Sequence, residues 1–142
     1  MVWCDMMAIH KDAPHPENAL RFIDFILRPE IVIRPDFARA AELGIAHVLQ
    51  GVEHKAEGFA RLLSATGLQA AQTAYMGDDL LDLPVFVRVG LAGAPADSTA
   101  EVLHHAHWVS RFPGGRGAVR EFVELLLTAQ GRWNAIVDSF LV

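Results

Sequence analysis

The stretch AYMGDDLLDLP at residues 74–84 decides the expected fold. Its apolar beginning is typical of a buried strand that ends at Gly77, and the acids and leucines that follow predict a helix. Before it, EHKAEGFARLLSATG predicts an amphipathic helix that ends at Gly67, and after it LAGA predicts another strand. Alternating strands and helices of this kind predict an α/β domain with a mainly parallel sheet and helices on both faces.

The same alternation continues toward both ends of the chain. Downstream, DSTAEVLHHA predicts a helix, HWVS predicts a strand, and GGRGAVREFVELLLTAQGRWNAIVDSFL predicts one long helix or two. Upstream, DFARAAELG predicts a helix and IAHVLQ a strand. The apolar start, residues 1–9, predicts a buried strand, and a helix in ENALRFIDFIL follows a proline-marked turn.

Composition limits the class of protein. The chain has 142 residues, of which 52% are apolar and 20% charged, as expected of one folded domain. No apolar run reaches the roughly 18 residues of a membrane-spanning helix, and the chain does not begin like a secretory signal. The single cysteine, Cys4, excludes an internal disulfide and favours a cytoplasmic location. With a net charge of −5, we expect neither nucleic acid nor a membrane as partner.

Three acids follow the central strand: Asp78, Asp79 and Asp82. Ligands of open parallel sheets collect at the carboxyl ends of the strands, and carboxylates placed there suit Mg²⁺. The alternative is helix capping, because an aspartate at a helix start binds unpaired N–H groups. Three aspartates so close together after a buried strand favour the metal site, with Asp82 one helical turn behind the other two.

Two further features suit an anion. Lys55 opens the helix before the central strand, an unfavourable place for a cation unless it holds a phosphate or the charge of an aspartyl nucleophile. Arg116 lies between glycines in RFPGGRGAVRE, which suggests a mobile loop with an anion-binding guanidinium. The alternatives are a solvated surface lysine and an ordinary turn with an exposed arginine.

The chain from about residue 36 onward resembles the later part of the 3-deoxy-D-manno-octulosonate 8-phosphate phosphatases, which belong to the haloacid dehalogenase superfamily. The matching stretches are ARAAELGIAHVLQGVEHKAEGFARLL, AYMGDDLLDLPVFVRVGLAGAPADSTAEV and GGRGAVREFVELLLTAQG. The resemblance implies a Rossmann-like haloacid dehalogenase-type sheet, truncated at the N-terminus. It also implies a Mg²⁺-dependent, tetrameric hydrolase for a phosphorylated sugar acid of lipopolysaccharide biosynthesis.

The resemblance also implies roles for individual residues. The lysine motif of the family falls on Lys55, and its metal-binding acid falls on Asp78. Asp79 is then a weaker candidate for metal binding, and Asp82 supports the site. The family places the arginine of its glycine-rich stretch, here Arg116, near the site of a neighbouring subunit, where it would bind substrate.

The first motif of the family is missing from this sequence. The family begins with a strand ending in Asp-x-Asp-Gly, which supplies the nucleophile, the general acid/base and a further metal ligand, and this chain contains no Asp-x-Asp. Asp5 ends an apolar strand, but Met7 stands where the acid/base would be. Arg28, Pro29 and Glu30 replace the Ser/Thr-Gly-Arg motif. We therefore expect that Asp5 is not a working nucleophile and that the chain is inactive.

Residues 1–30 resemble a different family, the periplasmic polyamine-binding proteins for putrescine or spermidine. The sequence therefore predicts a join near residues 30–36, between a segment 1–35 and a phosphatase-like part 36–142. We expect the strand at 1–9 to replace the missing nucleophile strand beside TAYMG. The alternatives to a phosphatase are a non-catalytic, oligomerising half-domain and a polyamine-binding fragment.

Overall fold

The computed structural model describes residues 52–141 and the isolated positions 47 and 49. The expectations for residues 1–46, including the strand at 1–9 and the join near 30–36, lie outside the described residues, as does most of the strand expected at 45–50. The described elements, in chain order, are α1 (Lys55–Thr66), β1 (Ala74–Met76), α2 (Leu83–Phe86), β2 (Leu91–Ala94), α3 (Ala100–His105), β3 (Trp108–Val109), α4 (Ala118–Ala129) and α5 (Trp133–Asp138). Two 3₁₀ turns, Ala70–Gln72 and Leu80–Asp82, precede β1 and α2.

The three described strands form a parallel sheet in the order β1-β2-β3. In this register Met76 lies beside Gly93, and Gly93 lies beside Trp108. The α/β class and the parallel sheet are therefore confirmed. Because all three strands run the same way, their carboxyl ends meet at one edge, where the acids after β1 are found.

One face of the sheet packs against α1, α2 and α3. Tyr75 and Ala92 point to this face, and the ring of Tyr75 meets that of Phe86 edge-on at 5.8 Å between centroids. The buried residues of this core are Phe59, Tyr75, Val85, Phe86, Val89, Ala92, Ala94 and Val102. Burial of these apolar side chains is the main stabilising contribution to the packing of the helices on the sheet.

The opposite face is covered by α4. The ring of Phe122 lies over Gly93 so closely that a Cβ on that glycine would come within 2.6 Å of it. Phe122 also stacks on Trp108, with 5.3 Å between ring centroids. Helices therefore cover both faces of the sheet, as the alternating pattern predicted.

The structure decides between one helix and two at the C-terminus, and it corrects the helix expected after the acids. The long C-terminal segment forms two helices, α4 and α5, which pack together through Leu127 and Ile136. The helix expected after the acids is short, because the chain first makes a 3₁₀ turn and then leaves α2 to enter β2 at Leu91. Among the described residues, no helix combines the length and apolar character that crossing a bilayer requires.

Candidate functional site

Asp82 lies at the centre of the acid cluster and is 1% exposed. Its Oδ1 accepts a hydrogen bond from the hydroxyl of Tyr75 and lies 2.6 Å from Nζ of Lys55. Its Oδ2 accepts from the backbone N–H groups of Asp78 and Asp79, at 3.0 and 3.1 Å. Four donors thus satisfy one buried carboxylate, which compensates for the cost of removing its charge from water.

The turn after β1 brings Asp82 back against its own strand. Gly77 extends the ladder by one bond, from its N–H to the carbonyl of Gly93 at 3.2 Å. A Cβ on Gly77 would lie 2.3 Å from Cγ of Asp82, so a larger residue cannot occupy this position without movement. The glycine is therefore needed for the close approach of the buried carboxylate to the backbone.

The capping alternative accounts for two of the three acids. Oδ1 of Asp79 accepts from the N–H of Leu80 at 2.7 Å, and Asp82 accepts from the two preceding N–H groups of the same turn. Asp82 follows Asp79 by one turn, as its spacing suggested, but its side chain reaches back to the N–H groups at the start of that turn. The 3₁₀ geometry of residues 80–82 tightens the chain and places this carboxylate in the centre.

Lys55 is the first residue of α1, and its side chain is 10% exposed. The positive end of the helix dipole disfavours a cation there, and the carboxylate of Asp82 offsets that effect. The structure thus supplies a partner for Lys55 from within the protein, and the pair joins α1 to the carboxyl edge of the sheet.

Asp78 is the exposed member of the three acids. Partial burial raises the pKa of its carboxyl, the charges of Asp82 and Asp79 raise the pKa further, and Lys55 lowers it. Its carbonyl accepts from the N–H of Thr99 at 3.1 Å, which fixes the backbone of the turn.

A divalent cation beside Asp78 would relieve the repulsion between these carboxylates. Mg²⁺ is commonly held by one or two protein carboxylates together with water and phosphate oxygens, so the exposed carboxylate of Asp78 fits it as a single ligand. In residues 52–141 and at positions 47 and 49, no group of three or more His, Cys, Asp or Glu is arranged to hold a metal.

The loop of residues 111–117, called the Arg116 loop here, is tied to α4 at its start. Glu121 accepts from Oγ of Ser110 at 2.7 Å and from the backbone N–H of Arg111 at 2.9 Å, and it pairs with the guanidinium of Arg111 at 2.5 Å. The hydrogen bond from Ser110 is the main cause that lowers the pKa of Glu121, with Arg111 acting in the same direction.

The middle of the Arg116 loop is tied to the segment after β2. The N–H of Gly114 donates to Oδ1 of Asp97 at 2.7 Å, and the N–H of Ala96 donates to the carbonyl of Phe112 at 3.0 Å. Arg116 itself is exposed. The loop is therefore braced by specific contacts at its start and in its middle.

Several residues of this arrangement were not expected from the sequence. Tyr75 is one, although a tyrosine in a buried strand usually needs a partner for its hydroxyl. The capping-box spacing of Asp79 and Asp82 was a signal for the turn. Asp97 and Glu121 gave no local signal, because the partner of Asp97 is 17 positions away and the partners of Glu121 are 10 and 11 positions away. Asp5 lies outside the described residues.

A family model described as haloacid dehalogenase-like hydrolase matches residues 10–121. The match runs across residues 30–36, where a join was expected. It also includes most of the segment compared with polyamine-binding proteins and gives that comparison no support.

Curated relatives and solved structures agree with this match. The chain is 48% identical to the 3-deoxy-D-manno-octulosonate 8-phosphate phosphatase of Yersinia pestis over 94 residues, covering 66% of this chain and 50% of the relative. The chain thus spans about half the length of the curated relatives it matches.

A crystal structure of the phosphatase from Yersinia pestis is 46% identical, with a TM-score of 0.66, and the match covers 68% of this chain and 52% of that one. The Moraxella catarrhalis phosphatase, solved with magnesium, phosphate and a KDO molecule, is 34% identical with a TM-score of 0.69. In this case the match covers 72% of this chain and 59% of that one. These likenesses confirm the resemblance that the motifs indicated.

Proposed function

Because the chain belongs to the haloacid dehalogenase-like hydrolase family, we propose that its described residues form the magnesium- and phosphate-facing part of a site for a phosphorylated sugar acid. The observation that carries this proposal is the buried carboxylate of Asp82, which holds Lys55 and the backbone of Asp78 together at the carboxyl edge of the sheet. A lysine and a metal ion held by an acid both stabilise the negative charge of a phosphate.

In this proposal each residue has one role. Asp78 is the metal ligand, because its carboxylate is exposed while those of Asp79 and Asp82 bind backbone N–H groups. Lys55 supplies positive charge for the phosphate. Asp82 and Tyr75 are positioning residues that orient Lys55 and the turn. Mg²⁺, when bound, neutralises phosphate charge.

The ligand we propose is 3-deoxy-D-manno-octulosonate 8-phosphate, an intermediate of lipopolysaccharide biosynthesis. Similar proteins are named as phosphatases for this compound, and the Moraxella catarrhalis structure contains magnesium, phosphate and KDO. Arg116 would contribute a planar pair of donors for a carboxylate or phosphate of the ligand.

We further propose that this 142-residue chain binds the ligand without hydrolysing it. Attack on phosphorus through a covalent intermediate needs an activated nucleophile, and this chain has no Asp-x-Asp motif to provide one. Removing the nucleophile of such a mechanism leaves only the residual rate that binding and electrostatics supply.

Two measurements test this proposal. The first is phosphate release from 3-deoxy-D-manno-octulosonate 8-phosphate with and without Mg²⁺, and the second is binding of the same ligand, followed by calorimetry. We expect Mg²⁺-dependent binding that Asp78→Ala weakens and Asp138→Ala, an exposed control on α5, leaves intact. We expect no phosphate release. Metal-dependent turnover that Asp78→Ala abolishes would contradict the inactivity, and Asp5→Asn would then test Asp5 as nucleophile. The absence of any binding would contradict the site.

We also propose that the chain self-associates, as a tetramer, in the cytoplasm. Among the described residues, Leu80, Leu81 and Val87 lie close together in the chain and are 52%, 55% and 69% exposed, and such apolar surface favours association. Sedimentation should show an oligomer at micromolar concentration, and a clean monomer would contradict this. The alternative, a polyamine-binding role, would depend on residues 1–30, and the absence of a thermal shift with putrescine would exclude it.

A further inference from the structure

The segment between β2 and α3, residues 95–99, contacts both parts of the candidate site, and it is called the linking loop here. At one end the N–H of Thr99 donates to the carbonyl of Asp78 at 3.1 Å. In its middle Oδ1 of Asp97 accepts from the N–H of Gly114 at 2.7 Å. A short hydrogen-bonded connection therefore runs from the turn that carries Asp78 to the Arg116 loop.

The linking loop is itself held in one conformation. The hydroxyl and the N–H of Ser98 both donate to the carbonyl of Pro95, at 2.7 and 3.2 Å. The carbonyl of Thr99 accepts from the N–H of Leu103 at 3.0 Å, so the end of the loop is built into the first turn of α3. Asp97 is thus presented from a fixed segment, which is what a positioning residue requires.

The Arg116 loop depends on such contacts because its own backbone is permissive. Gly115 and Gly117 have φ values of 69° and 112°, and glycines leave many other conformations open to the chain. Glu121 and the N–H of Ala96 anchor only the first residues of the loop, up to Phe112. The contact of Asp97 lies two residues from Arg116, and a charged acceptor makes it stronger than a neutral hydrogen bond.

We propose that Asp97 is a positioning residue that holds the Arg116 loop in a fixed relation to the Asp78 turn. The anchoring stands on these contacts alone, while its use in binding a phosphorylated sugar acid rests on the function proposed above. Asp97→Ala removes the acceptor, whereas Asp97→Asn keeps an oxygen at the same place and can restore the bond to Gly114.

Limited trypsin digestion with mass spectrometry tests the anchoring directly. Cleavage after Arg116 reports opening of the loop, and cleavage after Arg61, on α1, reports unfolding of the fold as a whole. We expect the ratio of the two rates to rise about fivefold in Asp97→Ala, in line with the loss of one exposed hydrogen bond, and to lie between that value and the wild-type ratio, closer to the wild-type ratio, in Asp97→Asn, whose neutral oxygen accepts a weaker bond. An unchanged ratio in Asp97→Ala would overturn the anchoring.

Titration of the same variants with 3-deoxy-D-manno-octulosonate 8-phosphate and Mg²⁺ tests the link to binding. The dissociation constant should rise in Asp97→Ala, by up to about fivefold where the open loop becomes the main population, and return toward the wild-type value in Asp97→Asn, as expected if binding requires the ordered loop. A freed loop with unchanged affinity would overturn the role of Asp97 in binding. If the wild-type chain binds no ligand, the proposed function is wrong, and the cleavage ratio alone then decides the anchoring.

Discussion

Nζ of Lys55 lies 2.6 Å from Oδ1 of Asp82, and this contact joins the first residue of α1 to the turn after β1. Both side chains are largely withdrawn from solvent, at 10% and 1% exposed. A pair in such surroundings contributes little net stability when both partners are present, but the loss of one partner leaves the other charge less compensated, which is destabilising. The contact therefore makes the geometry of the site and the stability of the fold depend on each other.

Removal of Asp82 should be strongly destabilising. Asp82→Ala leaves the ammonium of Lys55 and the hydroxyl of Tyr75 without this acceptor, so we expect the free energy of unfolding to fall by about 3 kcal/mol. Urea denaturation followed by circular dichroism measures the loss. Asp138→Ala, at an exposed position, is the control and should change little. A loss for Asp82→Ala no larger than that of the control would show that the pair is not essential to the fold.

The hydroxyl of Tyr75 should contribute less to the free energy of unfolding than Asp82 does. Tyr75→Phe keeps the ring and its contact with Phe86 but removes one of the donors to Asp82. We expect a loss of about 1.5 kcal/mol, typical of a hydrogen bond to a charged group, in the same urea experiment. In the Asp82→Asn background the acceptor is neutral, so the added effect of Tyr75→Phe should be smaller. Fully additive effects would mean that the two groups do not act together.

The close approach at Gly77 can be tested by adding one methyl group. A Cβ there would lie 2.3 Å from Cγ of Asp82, so Gly77→Ala should lower the free energy of unfolding by about 2 kcal/mol or more. The matched control is Gly114→Ala, where the nearest atom to the added Cβ would be Oδ1 of Asp97 at 3.6 Å, an ordinary contact. Equal effects of the two substitutions on the urea midpoint would refute the proposed packing of Asp82 against the strand.

The contacts of Glu121 predict a dependence of stability on pH. Because its pKa is lowered in the folded chain from the ordinary value of 4.5, the unfolded chain binds the proton more readily. The stabilisation is thus fully present above about pH 5 and is lost as the pH falls through the lower, folded-state pKa.

The difference in unfolding free energy between wild type and Glu121→Gln measures this dependence. It should be largest near neutral pH and shrink in acid, whereas Glu101→Gln, exposed on α3, serves as the control. A difference that grew as the pH fell would have the wrong sign for this account.

The sequence predicted the fold of the described part well because its signals are local. The apolar run before Gly77 became β1, LAGA became β2, and the helix with Lys55 at its start ended at the expected glycine, whose φ is 70°. Hydrophobic periodicity and helix-stop residues act within one turn or strand, so they can be read from neighbouring letters.

The arrangement of the site could be predicted only in part. The motif and the resemblance to the phosphatase family predicted that Lys55 and the three acids lie at the same edge of the sheet. The central position of Asp82 could not be predicted, because it depends on a 3₁₀ turn in place of a helical one and on a tyrosine hydroxyl in the preceding strand. The contact of Asp97 with Gly114 joins two loops through the tertiary fold, for which the sequence alone holds no pattern.

The most direct test of the account is titration of the chain with Mg²⁺, in the presence and absence of inorganic phosphate, for wild type, Asp78→Ala and Asp138→Ala. One carboxylate from the described residues makes a weak site, and phosphate oxygens should strengthen it because Mg²⁺ shares its ligands with phosphate. We expect weak Mg²⁺ binding that phosphate enhances, that Asp78→Ala abolishes and that Asp138→Ala preserves. Mg²⁺ binding that is unaffected by Asp78→Ala, or that phosphate does not change, would contradict the assignment of this edge of the sheet as the metal and phosphate site.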